Sequence, residues 1–313
     1  MLFSFTRRCT GLVLTLLVAS FLIYSALVVA PGDPAQLLAG RNPTPETLAL
    51  IREKYHLDDP FLVQYWHWLS AVMTGDLGYS PTFRADVTTL ISQRYLSTVL
   101  LVAYASTLIG VFGIGGGVAA ALMGKGARST LAGLSAAAMG TPTFAIALVL
   151  ITTFARNLDW FPIYGSGSGL LDRLWHLTLP AFALALAFGG YVARVTSTAV
   201  SAELGSEHVA VARIRGVPER IIVRKHVLNN ALPPILTIAG LTIAGLLAGS
   251  AVAEQAFGVN GLGSLLVISA QRQDMSVLLV TSLIVVTAFV TINGAVDAVV
   301  QVIDPRARAR RTK

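Results

Sequence analysis

Charge is scarce in this chain: 12% of its 313 residues are Asp, Glu, Lys or Arg, where a soluble domain carries about 25%. With 54% of residues hydrophobic, that scarcity excludes an ordinary soluble protein and indicates a polytopic membrane protein. Cysteine is nearly absent, and Cys9 alone can form neither an internal disulfide nor a thiolate metal site. No phosphate-cradling loop is present. The nearest approach, at Gly124-Lys125, has Gly126 where serine or threonine should follow the lysine and Ala119 where the leading glycine should stand. The five histidines, His56, His67, His176, His208 and His226, lack metalloprotease spacing. Ionisable groups are almost missing from the apolar runs, which disfavours a proton or ion relay. Arg194, Asp297 and Glu254 fall close to run ends, where snorkelling or pairing accounts for them. The formal net charge of +7 comes from basic residues in short loops between apolar runs, as membrane orientation requires, so nucleic-acid binding is set aside.

What is present is a series of apolar runs. Residues 1–30 form an N-terminal end and first span, with 22 uncharged residues from Cys9 to Ala30 after Arg7 and Arg8. That length crosses about 30 Å of hydrocarbon. The run is longer than a signal peptide's and ends in Pro31-Gly32-Asp33-Pro34, so a retained span is expected. Residues 31–97 are polar, proline-rich and aromatic, too long for a tight turn. Thr44-Pro45-Glu46 starts one helix, with Leu48, Ile51 and Tyr55 on one face. A second helix over 60–72 carries a stripe of Phe61, Tyr65, Trp68, Leu69 and Val72, read as an interfacial packing element. Five further spans are expected in a core at 98–303, at about 98–123, 131–155, 177–195, 232–253 and 277–303, followed by a basic tail at 304–313.

Six spans put both termini on one side. That side holds 15 of the 23 Lys and Arg residues in short loops, so the positive-inside rule makes it cytoplasmic. Small residues recur at four-residue spacing, Gly113 with Gly117 and Gly245 with Gly249, which lets helices approach closely. Helix packing is sufficient reason for the pattern; Gly240, Ala244 and Ala248 continue the small face of the fifth span, so a second reading has that helix lining a narrow path or a subunit seam. Asn293 is the polar residue nearest mid-span, suited to a helix-to-helix hydrogen bond or to substrate contact.

One stretch interrupts this pattern. Overlapping the cytoplasmic loop 198–231, residues 206–234 (SEHVAVARIRGVPERIIVRKHVLNNALPP) contain two short helix-compatible halves that meet at Gly216-Val217-Pro218. Gly216 is placed to turn the chain, Pro218 suits the first turn of the next helix, and Glu219 complements its positive end. Pro233-Pro234 marks the start of the fifth span.

Separate motifs in fixed order resemble one family. Pro31-Gly32-Asp33-Pro34, Leu57-Asp58-Asp59-Pro60-Phe61, Gly75-Asp76-Leu77-Gly78, Gly140-Thr141-Pro142-Thr143-Phe144, Trp160-Phe161-Pro162, Gly261-Leu262-Gly263 and Ile303-Asp304-Pro305-Arg306 are similar to the first permease subunit of ABC importers for dipeptides, oligopeptides and nickel. The resemblance covers nearly the whole chain. It implies an all-α, type I ABC importer permease fold with six transmembrane helices and an extracytoplasmic helical segment, in a bacterial or archaeal plasma membrane. It implies a non-catalytic subunit with no cofactor of its own, ATP and Mg being bound by partner ATPase subunits. The other implied partners are a second homologous permease, forming a heterodimer, and an extracytoplasmic peptide-binding protein. Glu207, His208, Val209, Ala210, Ala212, Arg213, Arg215 and Gly216 fall on the family's ATPase-coupling helix, and Gly245, Gly249 and Asn293 are assigned to the translocation path. The superfamily's Glu-Ala-Ala before the glycine is Ala210-Val211-Ala212 here, so its acidic contact is not carried over. Peptide import is the expected function, with nickel import and ion-coupled secondary transport as alternatives.

Overall fold

The structure is a computed structural model and describes residues 2–29, 35–36, 43–54 and 57–303, side chains at 2–9, 27–29, 54, 297 and 301–303 excepted. The Pro31-Gly32-Asp33-Pro34 turn, Tyr55, the Cys9 side chain and the basic tail at 304–313 lie outside the described residues. The chain folds as two compact units, residues 1–98 with 260–290, and residues 99–259 with 291–313.

In the first unit, helix α1 (Leu2–Val29) meets helix α3 (Phe61–Thr74) through the predicted aromatic stripe. Phe21 stands edge-on to Phe61 and Tyr65, at 5.7 and 5.2 Å. Tyr24 stacks at 5.4 Å on Trp68. Helix α2 (Pro45–Lys54) begins as expected at Thr44, whose hydroxyl accepts the Thr47 amide at 3.2 Å. Gly75, at φ +90, ends α3. A ribbon of β1 (Tyr79–Ser80) and β2 (Ala85–Asp86) follows, the one departure from an all-helical chain among the described residues. Its Ser80 hydroxyl donates to the buried Asp274 carboxylate at 2.5 Å, and the other oxygen of Asp274 accepts the Val277 amide at 3.2 Å. Asp274 thus caps helix α11 (Met275–Ile303) while pinning the ribbon. Helix α10 (Leu262–Gln271) joins this unit, its first amide bonded at 2.8 Å to Thr98 Oγ1.

The second unit is built around α7 (Leu170–Leu204), a 35-residue helix that continues through Pro180. Helix α4 (Val87–Met123) supplies Gly117 to it. A Cβ there would lie 2.6 Å from the Ala193 carbonyl oxygen and 2.7 Å from Thr196 Cβ, so hydrogen alone fits. The helix begins eleven residues before the expected span at 98, and its seven-residue π-helical stretch Ile109–Gly115 coincides with a glycine-rich sequence. The run expected as a single span at 131–155 is two helices, α5 (Lys125–Gly140) and α6 (Thr143–Asn157), set at 100°. Pro142 is the cause: it forces the preceding Thr141 into an extended conformation, φ −96 and ψ 122, where no α-helix can continue.

Helix α9 (Glu219–Ala256) runs unbroken past Pro233 and Pro234, where entry into the fifth span is expected, so the helix itself starts earlier than the span. The carbonyls whose amide partners those prolines remove belong to Asn229 and Asn230, both exposed and open to other partners. On its inner face Ser250, Ala253 and Glu254 are wholly enclosed. Glu254 therefore does not snorkel. Four helices (α4, α7, α9 and α11) are long and apolar enough to cross a membrane, or five spans if the bent α5–α6 pair counts as one, with a further apolar stretch Thr10–Ala26 within α1.

Candidate functional site

The polar interruption folds as a closed hairpin. Helix α7 ends at Leu204, and helix α8 (Glu207–Ile214) begins after the extended Ser206, whose carbonyl accepts the Ala210 amide at 3.1 Å. The Ser206 hydroxyl turns back onto Glu203 O at 2.6 Å. Glu207 in the first turn and Arg213 in the last both complement the helix dipole. At the far end the Val217 amide bonds to Ala212 O at 3.1 Å and the Gly216 amide to Arg213 O at 3.0 Å. This paired ending requires a left-handed residue, which Gly216 provides at φ +73. The chain then enters α9 at Pro218.

A bidentate fork closes the turn. Arg213 Nη2 and Nε donate to the two Glu219 carboxylate oxygens, at 2.7 and 3.2 Å. Those hydrogen bonds hold the Glu219 carboxyl below its ordinary range and raise the Arg213 guanidinium. Arg215, Arg220, Arg224 and Lys225 are exposed with no carboxylate within 4.0 Å among the described residues. His208 joins the two limbs, 3.5 Å from Glu203 and 3.2 Å from Asn230 Nδ2.

Val209 and Ala212 point inward, 0% and 7% exposed, into a core with Ala121 of α4, Val200 of α7, and Ile222, Val227, Ala231 and Ile235 of α9. These two, expected among the coupling contacts, pack into the core of the chain and hold the element in place. Glu207, Ala210, Arg213, Arg215 and Gly216 are exposed. The apolar side chains presented outward are Val211, 46% exposed, and Ile214, 86% exposed. Neither was singled out from the sequence, although their three-residue spacing places them on a face of their own, opposite Val209 and Ala212.

The residues assigned to the path part company. A Cβ on Gly249 would lie 2.8 Å from the Phe188 ring of α7, which this glycine therefore accommodates, while one on Gly245 would make ordinary contact with the same ring at 3.8 Å. Gly240 is tighter still, its Cβ position falling against the side chain of Val296 of α11. Close helix packing thus falls at Gly240 and Gly249. Asn293 is half-buried on α11.

Long apolar helices around α7, joined to a cationic hairpin, are the architecture of a helical membrane protein. Family models agree in extent: "binding-protein-dependent transport system inner membrane component" matches residues 113–309, and the N-terminal model of the same membrane components matches residues 1–102. The chain belongs to this family and is an ABC importer permease of its peptide and nickel branch. It is 35% identical over 304 residues to the glutathione transport system permease protein GsiC of Salmonella typhimurium, covering 96% of this chain and 97% of that one. The GsiC of Pectobacterium atrosepticum is 34% identical over 310 residues, covering 98% and 99%. Among solved structures, an inward-facing MetNI methionine ABC transporter chain matches with a TM-score of 0.58 at 20% identity, covering 69% of this chain and 96% of that one. That likeness supports the type I permease fold.

Proposed function

We propose that this chain is one of two different permeases in an importer of dipeptides or oligopeptides, which reach it from an external solute-binding protein. The two permeases form the path between them, and separate ATPase subunits bind ATP and Mg. Six spans place both termini and the α8 hairpin in the cytoplasm. Relatives named for glutathione transport support a short peptide as the cargo.

The observation that carries the coupling role is the hairpin's two-sidedness: Val209 and Ala212 are locked into the helical core while Val211 and Ile214 stand outward. An apolar helix face on a rigid mount fits a groove on a partner. When ATP draws the two ATPases together, displacement of that groove passes through Val209 and Ala212 to α4, α7 and α9, biasing the permeases toward an outward-open state. Hydrolysis and product release reset them.

Gly216→Leu tests this. No atom lies within 4 Å of the Cβ position, so the substitution acts through the left-handed backbone alone, at about 1–2 kcal/mol. The variant is expected to insert normally and to lose both peptide uptake and stimulation of ATPase activity by the binding protein. Unchanged uptake would overturn the coupling role.

A further inference from the structure

A second cationic feature lies in the same unit. Lys125 and Arg128 at the start of α5 and Arg194 on α7 line one cavity of about 680 Å³, together with Ser129, Ser197 and Ser201. No acidic residue lines it. Among the described residues, none of the three cations has a carboxylate within 4.0 Å. Two of the serine hydroxyls are likewise uncommitted: Ser201 Oγ is buried without a hydrogen-bond partner, and Ser197, 6% exposed, makes no side-chain hydrogen bond, whereas Thr198, also in the lining, donates to Arg194 O at 2.9 Å. Helix α5 has neither a side-chain cap nor an acid in its first turn, so its N-terminal amides add to the same positive potential.

Positive-inside placement explains basic residues at this end of the helices. It does not explain their convergence, from two helices, on a hydroxyl-lined cavity free of acids. Guanidinium groups and hydroxyls together suit the oxygens of a phosphate. The lining also includes apolar Leu131, and along the same stretch of chain Met123, two residues before Lys125, and Leu134, one turn beyond Leu131, are 78% and 66% exposed. A soluble anion would satisfy only the cationic end, whereas a molecule with both a phosphate and an acyl chain satisfies both. We propose that this cavity binds the phosphate of an anionic phospholipid, next to the last turn of α7 that leads into the α8 hairpin.

The choice of leaflet rests on the proposed orientation, but binding does not. In a nanodisc with identical lipid in both leaflets, an inverted topology would leave the result unchanged. The assembled transporter, stripped of lipid, is offered phosphatidylglycerol or phosphatidylcholine, and bound lipid is counted by native mass spectrometry. Wild-type protein is expected to prefer phosphatidylglycerol at least roughly tenfold, and Arg128→Gln with Arg194→Gln to weaken that binding about thirtyfold at unchanged melting temperature. Lys125→Gln, at an exposed position, supplies a milder variant should the double one fold poorly, and must weaken binding in the same direction. Arg224→Gln, basic but outside the cavity, should retain wild-type preference. No preference in the wild type, retained preference in the cavity variants, or an equal loss in Arg224→Gln would overturn the site. Displacement of the lipid by millimolar inorganic phosphate would overturn its assignment to lipid.

Discussion

Ile214→Ala separates docking from folding. Ile214 is 86% exposed, so within the isolated chain truncation should change stability by no more than about 0.5 kcal/mol. If the side chain fills a groove on the ATPase, the loss is set by three carbons at about 0.8 kcal/mol each, scaled by the 86% that remains available for burial. That amounts to about 2 kcal/mol, or roughly thirtyfold in the dissociation constant. Val211→Ala, removing two carbons at 46% exposure, should weaken binding only about threefold by the same reckoning. Val209→Ala is the counter-case, because at 0% exposure its lost methyls leave a hole in the core with Val200 and Ile222, costing about 2 kcal/mol of stability. The assay titrates purified ATPase subunit onto permease complexes in nanodiscs and records the melting temperature of each permease preparation alongside. Binding by Ile214→Ala within threefold of wild type would refute the outward face as the docking face. A melting temperature lowered as far as that of Val209→Ala would refute the claim that Ile214 is free of the core.

Two further predictions concern stability. Gly117→Ala should destabilise by about 1–3 kcal/mol, since its methyl would press on the Ala193 carbonyl, whereas Gly133→Ala, with no atom within 4 Å, should be neutral or stabilising by thermal melt. Asp274→Ala removes both the cap of α11 and the acceptor of Ser80 and should cost about 1–3 kcal/mol. Asp274→Asn, which keeps an acceptor oxygen, should recover most of that loss by the same measure.

Hydropathy located the membrane-embedded cores of the helices but not their ends. Val87 to Ser97 and Thr198 to Leu204 are helical yet too polar to register as span, because backbone hydrogen bonding continues where the bilayer's demand for apolar side chains stops. At the hairpin, Gly216 and Pro218 were legible since each answers a local backbone requirement. The division of α8 into an inner and an outer face was not: Val209, Val211, Ala212 and Ile214 are all apolar, and only tertiary packing decides which of them are covered. Gly249 shows the limit of a small-residue pattern, which announces a close approach without naming the neighbour; here it is Phe188. Glu254 looked like a group at a helix end, yet its alignment with Ser250 and Ala253 on one face turns it wholly inward. At 140–144 a proline was visible, but nothing local to it sets the 100° angle between the helices it separates.

The glycine seam along α7 bears on how the protein is made. Ribosomal synthesis delivers α4 and α5 first, but Gly113 and Gly117 of α4 find their close neighbours at Gly189, Val192, Ala193 and Thr196, and Ser135 of α5 lies against Gly190. All of those partners belong to a helix translated later. Until α7 leaves the translocon, the earlier helices can insert but cannot lock, because the surface shaped to receive them does not yet exist. A chain arrested before Leu170, where α7 begins, should therefore present α4 and α5 without that seam and open to protease, and quality control of this subunit should act on the interval between their insertion and the arrival of α7.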